Sequence, residues 1–147
     1  MQLTQHFALS EFTRSDTARR RGISNTPGEQ DIRNLKHLCA EVLEPLRGFA
    51  RQPICISSGY RCPALNRAVG GSPGSNHLTG CAADIRLPTL RTGRQWFQWL
   101  RRHVPFDELI WEHTSTGTTT WIHVALKPQG NRGNVITELV KQGDKIT

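Results

Sequence analysis

His77 and Asp84 stand seven positions apart in Ser75-Asn76-His77-Leu78-Thr79-Gly80-Cys81-Ala82-Ala83-Asp84, with small residues and a turn-forming Gly80 between them. A second imidazole comes much later, in Trp121-Ile122-His123-Val124. Two imidazoles and one carboxylate, with a fourth position left to water, are a common ligand set for catalytic zinc. Such ligands sit about 2 Å from the metal and draw the pKa of a bound water toward ~7. The pattern predicts one Zn²⁺ per chain, held by His77, Asp84 and His123, and hydrolytic chemistry. A His-x6-Asp pair alone is a weak signal. It gains force from its flanks, Ser75-x-His77-x-x-Gly80-x-Ala82-x-Asp84 followed by Trp121-x-His123-Val124.

Those ligands need rigid elements to hold them. Ser10 reads as the N-cap of a helix running to Arg21 and closed by Gly22, with Phe7 packed on it as a staple. Thr26 and Pro27 read as cap and first position of a long helix. Its apolar residues Ile32, Leu35, Leu38, Cys39, Val42, Leu43, Leu46 and Phe49 form one stripe, and Pro45 within it predicts a kink or break. Gln52–Ser58 reads as a strand, and a short helix follows through Asn66 and Arg67. The Gly/Ser/Pro cluster from Val69 to Ser75 is a loop that delivers His77 to a strand over Ala82–Leu87. Pro88–His103 reads as an amphipathic helix, with Trp96 and Trp99 taken as packing and surface cover. Phe106–Glu112 and Thr119–Leu126 read as a hairpin turning at Ser115-Thr116-Gly117, and Asn134–Val140 as one more strand. With helices mainly in the N-terminal half, packed on a small antiparallel sheet that carries the metal, the class is α+β, and residues 1–147 are expected to form a single domain.

Composition bounds the rest. The chain has 147 residues, 36% of them hydrophobic, which suits one globular core. No apolar run of about 18 residues is present, so no membrane span is expected. Met1–His6 lacks a basic start and an apolar run, so synthesis in the cytoplasm without a signal peptide is expected. Lys and Arg outnumber Asp and Glu by 19 to 12, a formal charge of +7 with a pI near 9.9. That balance suits an anionic partner, but no nucleic-acid-binding pattern accompanies it, and none is expected as a partner. Cys39, Cys55, Cys62 and Cys81 include no Cys-x-x-Cys pair, which argues against a cysteine-ligated zinc site. Cys39 and Cys55 read as small buried hydrophobes, and reduced thiols are expected.

Ser57-Ser58-Gly59-Tyr60-Arg61, Leu65-Asn66, Val69-Gly70-Gly71, Ser75–Gly80, Ala83-Asp84 and Trp121–Val124 together resemble the zinc D-alanyl-D-alanine peptidases. That family includes carboxypeptidases, dipeptidases and phage endolysins, and shares its metal fold with lysostaphin-type enzymes and the hedgehog signalling domain. The chain is most similar to small single-domain members from phages and prophages, which begin as Phe7–Phe12 and Asn25-Thr26-Pro27 do here. The resemblance implies a peptidase acting on peptidoglycan stem peptides or cross-links, as a carboxypeptidase or an endolysin-type endopeptidase, and a monomer. It implies release to the cell wall through a holin, or a place in the virion. It also implies His77, Asp84 and His123 as ligands, and Arg61 as the cation that meets the substrate's carbonyl oxygen or carboxylate; Ser75 and Tyr60 join Arg61 as candidate substrate contacts. A guanidinium suits that task, being planar and permanently charged.

One position departs from the better-known members, which place an acid three residues before the last His. Here that residue is Thr120, which cannot act as a base. The nearest acid is Glu112, and small phage-type members are similar in carrying a Glu there, so Glu112 is the candidate general base. A shift of one residue in strand register would turn His113 toward the metal instead, as base or oxyanion partner. A further alternative has Glu112 only orienting a His ligand. If no base is present, the chain would be a zinc-binding but inactive cell-wall-binding or structural module.

Overall fold

The computed structural model of the protein describes residues 1–141. The chain opens with a small ladder, β1 (Gln2–Thr4) against β2 (Phe7–Ala8). The helix expected from Ser10 to Arg21 is two helices, α1 (Ser10–Thr13) and α2 (Asp16–Arg21). Arg14 breaks them with extended backbone, and Ser15, not Ser10, supplies the capping hydroxyl, accepting from the Ala18 N–H. Gly22 closes α2 in the left-handed conformation, as its lack of a Cβ permits. Phe7 and Phe12 pack ring against ring at 6.1 Å.

The long helix starts later than Thr26-Pro27 suggested. Gly28 is its N-cap, and the Asp31 carboxylate accepts from the Gly28 N–H at 2.8 Å. It runs as α3 (Glu29–Leu38), widens through a π turn at Cys39–Leu43, and continues as α4 (Glu44–Ala50). Pro45 explains the widening. It cannot donate to the preceding turn, and the helix absorbs the defect with a longer bond from the Glu44 N–H to the Cys39 carbonyl instead of ending.

After β3 (Ile56–Ser58) and α5 (Pro63–Ala68), a 3₁₀ turn at Asn76–Thr79 leads into β4 (Ala82–Arg86). Then come α6 (Leu90–His103), β5 (Glu108–Thr114), β6 (Thr120–Ala125) and β7 (Asn134–Lys141). The main sheet has the order β3-β4-β6-β5-β7. Its first four strands are antiparallel, as expected for this α+β fold, whereas β7 runs parallel to β5. The connection from β6 crosses β5's end through Lys127–Gly133 before β7 begins, which makes the parallel pairing possible.

Alternation gives the sheet two faces. Ala83, Ile85, Leu109, Trp111, Ile122 and Val124 share one hydrophobic cluster with Leu35, Leu38, Val42 and Leu46 of the long helix and Trp96, Phe97 and Leu100 of α6. Each such buried aliphatic side chain contributes about 1.5–3 kcal/mol. The other face carries the polar residues. Cys55 departs from expectation: Ile54 and Ile56 turn inward and Cys55 is exposed. Trp96 is buried, and Trp99 stacks between Phe49 and His103.

Candidate metal centre and active site

Strand register brings the ligand candidates together. Asp84 on β4 lies directly opposite His123 on β6, which lies opposite Ile110 on β5. Residues two positions along share the same face, so Glu108 and Glu112 join them. His77 comes from outside the sheet, on the 3₁₀ turn, where Ser75 caps the first turn by accepting from the His77 N–H at 3.2 Å. Gly80 ends that turn left-handed, with the Asp31 carbonyl 2.5 Å from where a Cβ would stand. His77, Asp84 and His123 are all buried, and one donor atom from each falls within 4.8 Å of the others.

The proton positions follow from the partners. His77 Nδ1 is 2.6 Å from the Gly59 carbonyl, which can only accept, so Nδ1 carries the proton. Burial holds this imidazole down to about 4, so it is neutral at pH 7. Its Nε2 lone pair therefore faces Asp84 Oδ1 at 3.3 Å, acceptor against acceptor. Burial alone would raise the Asp84 carboxyl, but the hydrogen bond and charge of His123 hold it well below the usual carboxylate range. His123 Nδ1 donates to the same Oδ1 at 3.0 Å, and its Nε2 lies 3.4 Å from Glu108 Oε1. Burial opposes that charge, yet the carboxylates outweigh it and push His123 up to about 9. The His77 lone pair, the Asp84 carboxylate and a proton-holding imidazole converge on one point. Zinc there would replace the His123 proton and relieve the facing lone pairs, so the donor set fits the metal.

Arg61 is buried beside this point. Its Nε donates to Ser58 Oγ at 3.1 Å, its Nη1 to Asn66 Oδ1 at 3.0 Å, and its Nη2 lies 3.6 Å from Asp84 Oδ2. Burial lowers its pKa, with Asp84 and Glu112 opposing. Gly71 is needed for this packing: a Cβ there would overlap Asn66 Oδ1 and stand 2.7 Å from Arg61 Nη1. A cavity of about 500 Å³ opens onto Arg61, Ser75, His77, Asp84, Glu112 and His123.

Glu112 and His113 part company. Glu112 pairs with Trp121 and its Oε1 is 3.8 Å from His123 Nδ1, the nitrogen turned toward Asp84. Burial, with the Asp84 charge, raises its pKa. His113 pairs with Thr120 on the other parity, donates from Nδ1 to the Thr114 carbonyl, and has Nε2 3.3 Å from Glu138. Tyr60 is buried within the hydrophobic cluster and does not line the cavity.

Glu108 and Asp107 escaped the sequence reading. Glu108 holds the remote nitrogen of His123, and Asp107, buried, is clamped by Arg132 at 2.9 Å and by Lys127 at 3.5 Å. Arg132 also reaches Glu108 at 3.3 Å. The signal was the i, i+2, i+4 spacing of Glu108, Ile110 and Glu112, legible only once β5 was paired in register with β6.

The model of the family described as Peptidase M15 matches residues 5–125. That span holds Arg61, His77, Asp84, Glu112 and His123, and most of the chain. The chain belongs to the Peptidase M15 family. As an M15 peptidase it is a zinc-dependent hydrolase, and among the described residues His77, Asp84 and His123 form a group that could hold the metal. No curated protein matches the chain. The M15 match stops at Ala125, so Lys127, Arg132 and β7, which wall one side of the cavity, lie beyond it.

Proposed function

We propose that this M15 peptidase cleaves peptidoglycan stem peptides or cross-links at bonds involving D-amino acids. The observation that carries a catalytic reading is the division of labour between two acids on β5. Glu108 already occupies the remote nitrogen of His123, so Glu112 is not needed to orient that ring. Glu112 instead faces the cluster from within the cavity, with a carboxyl raised by burial toward the range in which a general base works. It would accept the proton of the attacking water and pass it to the leaving amine.

Zinc, when bound by His77, Asp84 and His123, would acidify that water and polarise the scissile carbonyl. Arg61 keeps its guanidinium pointed at the same space through Ser58 and Asn66, and would hold the carbonyl oxygen as charge develops on it. The +7 charge supports attraction to an anionic wall, reached by holin-type release or from a virion.

Digestion of purified sacculi, with mass analysis of the products, tests this reading. Wild type should release muropeptides, His77→Ala should release none, and Glu112→Gln should lose about 10²–10⁴-fold in rate. Zinc-loaded wild type that leaves sacculi intact would sink the enzyme reading in favour of a wall-binding module.

A further inference from the structure

Two N-terminal motifs, Phe7–Phe12 and Asn25-Thr26-Pro27, contribute no residue to the lining of the metal cavity. Both converge instead on the backbone of Gly59–Cys62, a stretch without regular secondary structure between β3 and α5. Such a stretch has no ladder or helix of its own, so its peptide groups must find partners elsewhere. Tyr60 N–H donates to the Phe12 carbonyl at 2.8 Å, and Arg61 N–H donates to the His77 carbonyl at 3.0 Å.

The two groups that flank Arg61 go to a single side chain. Asn25 Nδ2 donates to the Tyr60 carbonyl at 2.9 Å, and Asn25 Oδ1 accepts from the Cys62 N–H at 2.8 Å. The other Nδ2 proton goes to the Thr13 carbonyl at 2.9 Å, at the end of α1. Two partners are carbonyls and the third is an N–H, so only one orientation of the amide satisfies all three. Arg61 needs that frame. Its side chain is nearly fully buried, and its guanidinium is steadied at the tip by Ser58 and Asn66. Asn25 fixes the other end, the backbone from which the side chain departs. A displacement of about 1 Å in a group aimed at developing charge can cost about 10²-fold in rate.

We propose that Asn25 is a positioning residue for catalysis: by bonding the peptide groups on both sides of Arg61, it fixes the direction in which the guanidinium meets the substrate's carbonyl oxygen. The catalytic half of that statement rests on the proposed function; the placement of Arg61 by Asn25 does not.

Two variants test it at full zinc occupancy. Asn25→Ala removes all three bonds. Asn25→Asp keeps the volume and the bond from Cys62, but sets a carboxylate oxygen against the Thr13 and Tyr60 carbonyls, and it serves if the Ala variant does not fold. Each should lower kcat for muropeptides about 10–100-fold and leave KM within about twofold. The deciding measurement is a double-mutant cycle with Arg61→Lys, which keeps a charge but not the planar fork. In that background, replacing Asn25 should change kcat by less than about twofold. An equal loss in both backgrounds would make Asn25 a residue of the fold alone and overturn the catalytic half.

The placement has its own readout. In ¹⁵N-labelled full-length protein, the Arg61 Nε–H, assigned with Arg61→Lys, should exchange with water about tenfold or more faster in Asn25→Ala, while the amides of β5 and β6 keep their protection. Unchanged exchange at Arg61, or equal acceleration across β5 and β6, overturns the placement. If Arg61 responds as expected while wild type leaves sacculi intact, the placement stands and the peptidoglycan reading falls.

Discussion

His77 and His123 present nitrogens to the same oxygen of Asp84, yet their surroundings drive their protons in opposite directions. His77 sits on a 3₁₀ turn with its remote nitrogen on a backbone carbonyl, and burial keeps it neutral. His123 sits mid-strand with its remote nitrogen on a carboxylate, and the acids around it keep it charged. A neutral, acceptor-ready ligand and a proton-loaded one thus share a centre. The difference teaches that a ligand's readiness is set by the group behind it, not by the imidazole.

The severest way to break the contrast is to remove what the two rings share. Asp84→Asn should abolish stoichiometric zinc binding and leave Arg61 and His123 buried without their counter-charge, a loss of about 3–5 kcal/mol in denaturant stability. Metal analysis and urea melts would check it; full zinc occupancy would contradict the ligand assignment.

The His77 side has no side chain to delete, only the Gly59 carbonyl. A Cβ on Gly59 would stand 2.6 Å from Phe12 Cβ, so Gly59→Ala should shift the backbone behind His77. The expected loss is about 1–3 kcal/mol, with weakened zinc binding. A stability unchanged in urea would show that α1 yields without disturbing the turn.

On the His123 side the partner can be replaced. Glu108→Gln keeps the shape and removes the charge, and zinc affinity should fall about 10–100-fold in chelator competition. An unchanged affinity would assign the orienting role to another group.

The gentlest probe leaves the sequence intact. Because His123 holds its proton up to about 9 and His77 loses its own near 4, zinc uptake at pH 7 should release about one proton, from His123. Affinity should therefore rise with pH below about 9. Calorimetry in buffers of different ionisation enthalpy counts that proton, and a count of two or none would erase the contrast.

The two rings also differ in how far a sequence discloses them. Both were legible as candidate ligands, because imidazole and carboxylate among turn and strand residues are sparse and distinctive. The group behind each was not. Gly59 is a backbone acceptor with no side chain to notice, and Glu108 matters only through the pairing of β5 with β6. Glu112 and His113 were inseparable for the same reason: adjacent residues differ by a face, and register decides the face. The break at Arg14 and the π turn before Pro45 were equally hidden, since each depends on where neighbouring backbone bonds close.

The parallel strand β7 has a consequence for how this enzyme can diversify. It supplies none of His77, Asp84, His123, Arg61 or Glu112, yet Leu139, Val140 and Lys141 border their cavity, and β7 lies outside the span matched to the M15 family. The reactive residues and one wall of their chamber thus stand on different strands. Mutation can remodel that wall, and with it the clientele of the enzyme, while the machinery is passed on unaltered.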